Sequence, residues 1–309
     1  MSEYDVIVVG SGLAGLTAGL FAARQGLSTL IMESNIPGGH LISIEKIEDF
    51  PGFPDGVAGY ELCPAVQRQA ADQGAEFQRA AVQSLVLRER LWSVVTDEER
   101  HLAKAVIGAT GSTLKELGVP GEENLLGRGV SHCASCDGPL HDGAVVGVVG
   151  GGDSALQEAL TLSNFAKSVL VFHSDENFGG QHSYRQRVLG DPKIQPRYRT
   201  VIEEVLGDNQ LRAVRARDLV TNEIAEVELA GLFVYIGLKP NTALLQSTLQ
   251  LSETGHVPTD ASMKTELDGL YAAGDIRLHS AAQAIASAGD GATAAIAAYR
   301  YIKSEFHGS

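Results

Sequence analysis

One pattern occurs twice in this chain and sets most of what it can fold into. Residues 5–9 are a short apolar run rich in β-branched side chains. Gly10-Ser11-Gly12-Leu13-Ala14-Gly15 follows, then a helical stretch through Ala23 and an apolar strand over residues 28–32. In mid-chain, residues 144–149 are again apolar. Gly150-Gly151-Gly152-Asp153-Ser154-Ala155, a helical stretch through Leu162 and a strand over residues 168–172 follow in the same order. Strand, glycine turn, helix and returning strand make a βαβ unit, which belongs to a parallel sheet covered on both faces. The 35 glycines among 309 residues have no collagen-like period and fit tight turns and close backbone approaches.

Between the two repeats, residues 75–109 read as short alternating segments with charged turns. They predict an antiparallel insertion ahead of a last buried strand. Residues 111–129 hold five glycines and a proline and read as a linker. A second glycine/proline crossing lies at Gly237-Leu238-Lys239-Pro240-Asn241. After it come a strand-like run over residues 269–273, Gly274-Asp275 and an alanine-rich helix over residues 281–301. The expected fold is α/β, with two Rossmann-like, three-layer ββα dinucleotide-binding domains, the second inserted into the first. Residues 1–113 and 243–309 would form the outer domain and residues 114–242 the inserted one.

The formal charge of −14 disfavours nucleic acid and anionic membrane surfaces as partners. Met1-Ser2-Glu3-Tyr4-Asp5 has no basic segment, the first apolar run is broken by glycines, and Asp290 cuts the alanine-rich tail. Neither a signal peptide nor a membrane span is expected, and the setting expected is cytoplasmic. Three cysteines in a reducing compartment do not make a disulfide scaffold. A close pair among them points to redox or metal chemistry.

In the first glycine motif, Gly10 suits the tight turn, Gly12 lets the backbone approach a pyrophosphate, and Gly15 lets helix and strand pack closely. The phosphates then face free N–H groups at a helix start. Glu33 ends the next strand, where a carboxylate accepts ribose hydroxyls. Gly150, Gly152 and Ala155 repeat the pattern, so the chain has two dinucleotide folds, for two nucleotides or for one live site and one relic.

Cys133-Ala134-Ser135-Cys136 is spaced to close a small disulfide ring if the segment is turned or helical, and a helix start there favours thiolate chemistry. A zinc site would need a second pair. The one other cysteine is Cys63, and His132 has no evident fourth ligand beside it. The pair therefore reads as redox, with no metal. Asp137 is placed either as a general acid/base beside the dithiol or as a charge at a helix start. Cys63 reads as a small buried hydrophobe.

Taken together, the motifs resemble the low-molecular-weight thioredoxin reductases over nearly the whole chain. Besides the two glycine motifs, the matching stretches are Phe50-Pro51-Gly52-Phe53, Ala109-Thr110-Gly111 and Cys133-Ala134-Ser135-Cys136-Asp137-Gly138. Gly231-Leu232-Phe233-Val234-Tyr235-Ile236-Gly237 with Pro240-Asn241-Thr242, and Ala272-Ala273-Gly274-Asp275, match as well. The resemblance implies FAD in the outer domain, a pyridine-nucleotide domain carrying the redox pair, and a homodimer. Gly10, Ser11, Gly12, Leu13, Ala14, Gly15, Glu33 and Gly39 would hold FAD from the first repeat. Asp49, Ala109, Thr110, Gly111 and Gly274 would complete the cradle. Asp275 would bind the ribityl chain, and Gln283, Ala284 and Ile285 would face the pyrimidine edge of the flavin. Cys136 would lie against the flavin, Cys133 would exchange with the partner disulfide, and Asp137 would be the acid/base.

Several positions depart from the family pattern. Where the family carries His-Arg-Arg for the NADPH 2′-phosphate, this chain has His173-Ser174-Asp175. The bidentate donors are gone and a carboxylate faces the phosphate, which argues against NAD(P)H in the usual mode. The usual arginine before Gln283 is Ala282, the usual asparagine before Phe50 is Asp49, and the usual histidine at the second crossing is Leu238. Dithiol oxidases that close disulfides in gliotoxin, holomycin and romidepsin share this loss of arginines. The expected activity is therefore a nicotinamide-independent oxidation of a small-molecule or peptide dithiol with oxygen as acceptor. The alternative is a reductase acting on a thioredoxin-like protein, fed by NADH, NADPH or ferredoxin. A third reading is a flavin-binding scaffold whose cysteine pair is only structural.

Overall fold

The computed structural model describes residues 2–306. The chain folds into two compact units, one built from Met1–Thr113 with Pro240–Ser309 and the other from Leu114–Lys239. The outer unit opens with β1 (Ser2–Val9), α1 (Leu13–Arg24), β2 (Thr29–Glu33), α2 (Gly59–Asp72) and β3 (Glu76–Arg79). It continues with β4 (Val82–Arg88), β5 (Leu91–Thr96) and β6 (Arg100–Gly108), and β7 (Ser112–Leu114) lies at the first crossing. The inserted unit carries α3 (Glu122–Leu125), β8 (Val130–Ser131), α4 (Ala134–Asp137), β9 (Val145–Val149), α5 (Asp153–Ser163) and β10 (Ser168–Phe172). After them come α6 (His182–Gly190), β11 (Ile194–Arg197), β12 (Thr200–Leu206), β13 (Ala213–Asp218), β14 (Ile224–Glu228) and β15 (Gly231–Val234). β16 (Leu238–Pro240) leads back to β17 (Leu270–Ala272) and α7 (Ala284–Phe306).

In the outer unit, β3-β2-β1-β6 run parallel, with β17 parallel to the end of β6 and β5 antiparallel to its start. Alternation in β1 serves both faces of this sheet. Val6 and Val8 pack with Ile31, Ile107, Ala18 of α1 and Ala298 of α7. Ile7 and Val9 point the other way, packing with Met32 of β2 and with Leu85, Trp92 and Val94 of the β4–β5 hairpin. Both faces are covered, so β1 reads as a continuous apolar run. Small residues let α7 lie on α1: a Cβ on Gly291 would sit 2.1 Å from the Ala14 carbonyl oxygen.

The inserted unit repeats the plan with five parallel strands in the order β11-β10-β9-β15-β8. Val146 and Val148 face Ala155, Leu156 and Ala159 of α5. Val149, Leu170 and Phe172 face Ile202, Val205 and Val214 of the antiparallel β12-β13-β14 sheet. Both units are thus Rossmann-like α/β layers.

Two expectations change. The antiparallel insertion begins only at β4, because β3 extends the parallel sheet with Phe77 opposite Ile31. The helix α2 supplies the long crossover that a parallel strand needs. The stretch expected as a linker contains α3, whose buried Glu122 accepts the N–H groups of Leu117 and Gly118 at 2.8 and 2.7 Å. Among the described residues, no helix is long and apolar enough to cross a membrane.

Candidate active site

Cys133 and Cys136 form a disulfide in the inserted unit, with Cα atoms 5.3 Å apart. Cys133 is extended and caps α4, its Sγ accepting the Cys136 N–H at 3.3 Å. This is the place a serine oxygen takes in an ordinary helix cap. On reduction, the same N–H is set to hold negative charge on the Cys133 sulfur. Cys133 is half-buried and Cys136 exposed, so neither sulfur is sealed from a reactant.

Neighbouring side chains pin this segment. Ser131 Oγ accepts the Cys133 N–H at 3.0 Å, and Tyr235 Oη accepts the Ala134 N–H at 3.1 Å. Burial pushes the Tyr235 phenol far up, so it stays neutral. His132 Nδ1 meets the Val234 carbonyl at 3.1 Å. Asp137 ends α4 and is half-buried. His141, one turn on, lies edge-on to Phe233 in space that Gly231 leaves; a Cβ there would be 2.8 Å from the imidazole Nε2. Burial pushes His141 down, opposed by the negative charge of Asp137.

In the outer unit, Gly10 has φ +102°, and a Cβ on it would lie 2.3 Å from the Ala109 carbonyl oxygen. A Cβ on Gly15 would lie 1.9 Å from the Gly10 carbonyl oxygen. These two contacts hold strand, turn and helix together. Gly12 differs, because nothing lies within 4 Å of its Cβ position and no side chain caps α1. Leu13 and Ala14 open α1, where first-turn N–H groups have no partner within the helix. Space and donors coincide there, as a pyrophosphate requires.

Glu33 Oε2 accepts the Ser11 N–H and hydroxyl, each at 2.9 Å, and Oε1 accepts the Asn35 N–H at 2.9 Å. Burial pushes its carboxyl up, but hydrogen bonds from Asn35 and Ser11 outweigh that and hold it below the usual range. It is an anion at neutral pH, and a ribose diol would compete with Ser11 for its oxygens. Gly38 donates its N–H to the Ser11 carbonyl at 2.9 Å, which lays Gly39 against Gly12. Thr110 Oγ1 donates to the Asn241 carbonyl at 2.6 Å, and Asn241 donates its N–H to Gly111 at 2.9 Å. Asp275 accepts the Ser112 hydroxyl at 2.8 Å and the Ser287 hydroxyl at 3.4 Å. Gly274, at φ +77°, sets that turn against Ala14. Gln283 precedes α7, its carbonyl accepting the Ser287 N–H at 2.9 Å, Ala284 opens the helix, and Ile285 is exposed beside it. Asp49 is exposed on the loop between Ile47 and Val57. The open Gly12 turn, the uncapped helix, anionic Glu33 and Asp275 together fit FAD.

A family model for pyridine nucleotide-disulphide oxidoreductases matches residues 4–293. The chain is 38% identical over 301 residues to thioredoxin reductase of Treponema pallidum, covering 97% of this chain and 98% of that protein. It is 40% identical over 300 residues to the Mycolicibacterium smegmatis enzyme, covering 97% and 96%. The crystal structure of Lactococcus lactis thioredoxin reductase aligns with a TM-score of 0.95 at 34% identity, over 97% of this chain and 99% of that one. The chain belongs to the thioredoxin reductase family. As a member it is an FAD-dependent disulfide oxidoreductase.

Two features of this thioredoxin reductase fold escaped the sequence reading. Asp290, taken there only as a break in the apolar tail, is buried on α7 and receives Arg277 in a bidentate pair, at 2.9 and 3.2 Å. Its Oδ2 also accepts the Gly274 N–H at 3.2 Å, which clamps the Asp275 turn to the helix. An acid flanked by glycines in an alanine-rich helix was the available signal. Tyr235 was read only as part of a motif, yet it caps α4. Its position after four buried strand residues was the clue.

Cys63 is buried as expected, with its thiol against the Gly38 carbonyl at 3.6 Å and pushed up to about 11 by burial. After reduction, the native protein should titrate two thiols with a thiol-specific chromophore at neutral pH, and the third only after unfolding. Three equally fast thiols would contradict this packing.

Proposed function

We propose that this enzyme is a disulfide reductase of the thioredoxin reductase type, passing electrons through the Cys133–Cys136 pair to the disulfide of a thioredoxin-like protein. The observation that carries this reading is the Cys133 sulfur capping α4 in a chain whose full-length relatives are named as reductases. Those relatives favour the reductase direction over the oxidase direction expected from the missing arginines. They lend no support to a small-molecule dithiol substrate.

When bound, FAD supplies a two-electron carrier between donor and disulfide, held by Gly10–Gly15, Glu33 and Asp275. In the reduced pair, the Cys133 thiolate, held by the Cys136 N–H, attacks one sulfur of the partner disulfide. That bond breaks, and the departing partner sulfur takes a proton, with Asp137 as the nearby acid. Cys136 then loses its proton and attacks Cys133 Sγ in the mixed disulfide. The Cys133–Cys136 bond re-forms and the second partner sulfur leaves as a thiolate, which takes its proton from solvent. Over the two steps Asp137 gives one proton to the first departing sulfur and takes one from Cys136, so it ends the exchange as it began. The same reading carries a homodimer, which light scattering on the purified protein would test, and a reducing setting such as the cytoplasm.

The test is anaerobic. Enzyme reduced with stoichiometric dithionite is mixed with oxidised thioredoxin. Flavin reoxidation with the appearance of thioredoxin thiols is expected. Thioredoxin left oxidised would overturn the proposal. Rapid flavin bleaching by a small dithiol, with peroxide formed in air, would restore the oxidase reading.

A further inference from the structure

The inserted unit retains the parts of its nucleotide turn that hold a pyrophosphate. Gly150, at φ +134°, lies against β15, where a Cβ would be 2.2 Å from the Tyr235 carbonyl oxygen. Gly152 has nothing within 4 Å of its Cβ position, and no side chain caps α5 from it. Both features repeat Gly10 and Gly12 in the outer unit. Asp153, the first residue of α5, is held aside, its carboxylate accepting the Gln181 N–H at 2.6 Å and side-chain amide at 3.0 Å.

The adenosine end differs, and strand register locates the difference. Gly10 donates its N–H to the Met32 carbonyl at 2.8 Å, and Gly150 donates to the Phe172 carbonyl at 2.9 Å. The next residue is Glu33 in one unit and His173 in the other. The His173 ring lies over Gly151, with its Cε1 and Nδ1 2.5 Å from where a Cβ would stand. An acid at the strand end is thus replaced by an imidazole, and its Nε2 faces Asp175 Oδ2 at 3.6 Å and the Asn177 carbonyl at 3.1 Å. Asp175 is 77% exposed and Glu176 70% exposed. Arg199, the neighbouring cation, is already paired with Glu176 at 2.7 Å.

We propose that this unit takes NADH, with the Asp175 carboxylate accepting the adenosine 2′-hydroxyl, and that it rejects NADPH. The inference rests on the reductase reading and names its electron donor. A 2′-phosphate of about two negative charges would meet two carboxylates and one committed guanidinium. A hydroxyl instead donates to Asp175, which stands two residues beyond the strand-end place of the acid in dinucleotide folds and takes over its role. Like-charge juxtaposition at a binding site discriminates by at least roughly a hundredfold.

The test is direct binding to the oxidised FAD holoenzyme, by calorimetry with ADP-ribose and with its 2′-phosphate, alongside anaerobic flavin bleaching by NADH and NADPH. ADP-ribose is expected to bind at least about a hundredfold tighter, and NADH to bleach the flavin faster. Asp175→Asn should weaken ADP-ribose about tenfold, and Ser174→Arg with Asp175→Arg should move the preference to the 2′-phosphate. Flavin content and far-UV circular dichroism confirm that the variants fold. Equal or tighter binding of the 2′-phosphate, a double variant with unchanged preference, or no binding of either ligand would each overturn the proposal. In that last case, thioredoxin reduction by dithionite-reduced enzyme would leave the reductase reading standing.

Discussion

Replacing Cys136 with serine should reduce thioredoxin turnover by at least about a thousandfold while leaving the FAD content of the purified protein unchanged. In the proposed exchange the two sulfurs act as one unit, because closing the Cys133–Cys136 bond is what would release the second partner sulfur. With serine at 136 that closure is lost, yet Cys133 keeps its place at the start of α4 with the residue-136 N–H directed at its sulfur. The variant should therefore accumulate a mixed disulfide with thioredoxin, visible as a covalent adduct by intact mass. Cys133→Ser should be equally inactive but trap no adduct. An adduct on Cys133→Ser alone would exchange the two roles. Wild-type turnover by Cys136→Ser would make the disulfide structural.

Asp290→Ala should carry the largest stability penalty outside the strands. It strands the Arg277 guanidinium, whose side chain is 18% exposed, and removes the acceptor of the Gly274 N–H. Breaking one partner of such a pair costs about 3–5 kcal/mol. For a unit of this size, that is a drop in melting temperature of at least roughly 6 °C. Flavin retention should fall with it, because the clamp holds the turn that presents Asp275. Adding Arg277→Met to Asp290→Ala should recover part of the loss by removing the orphaned cation. A shift under about 2 °C would mean that water compensates the pair.

The local chemistry was legible in the sequence because it is decided within a few residues. The positive φ at Gly10 and the close approach at Gly15 follow from glycine alone, and the spacing of Cys133 and Cys136 permits a ring. The unbroken apolar run over residues 6–9, framed by the glycine turn, identified a strand buried on both faces. The departures at Ser174 and Asp175 were also visible, and they left two outcomes open, an empty site or NADH with its ribose hydroxyls on Asp175. The Gly150 and Gly152 turn beside them, open at Gly152, is what motivates the proposed change of donor.

What the sequence determined, then, was the pair of βαβ units and, between them along the chain, a cysteine pair spaced to close a disulfide, since both are written in short-range spacing. The tertiary structure decided that Asp290 is a clamp, that Tyr235 caps α4, and that β3 runs parallel. Each of these joins residues through sheet register or helix packing, and across up to a hundred residues of chain such partners carry no mutual signature. Distance along the chain hides them, and the shared hydrogen-bond ladder of the parallel sheets brings them together.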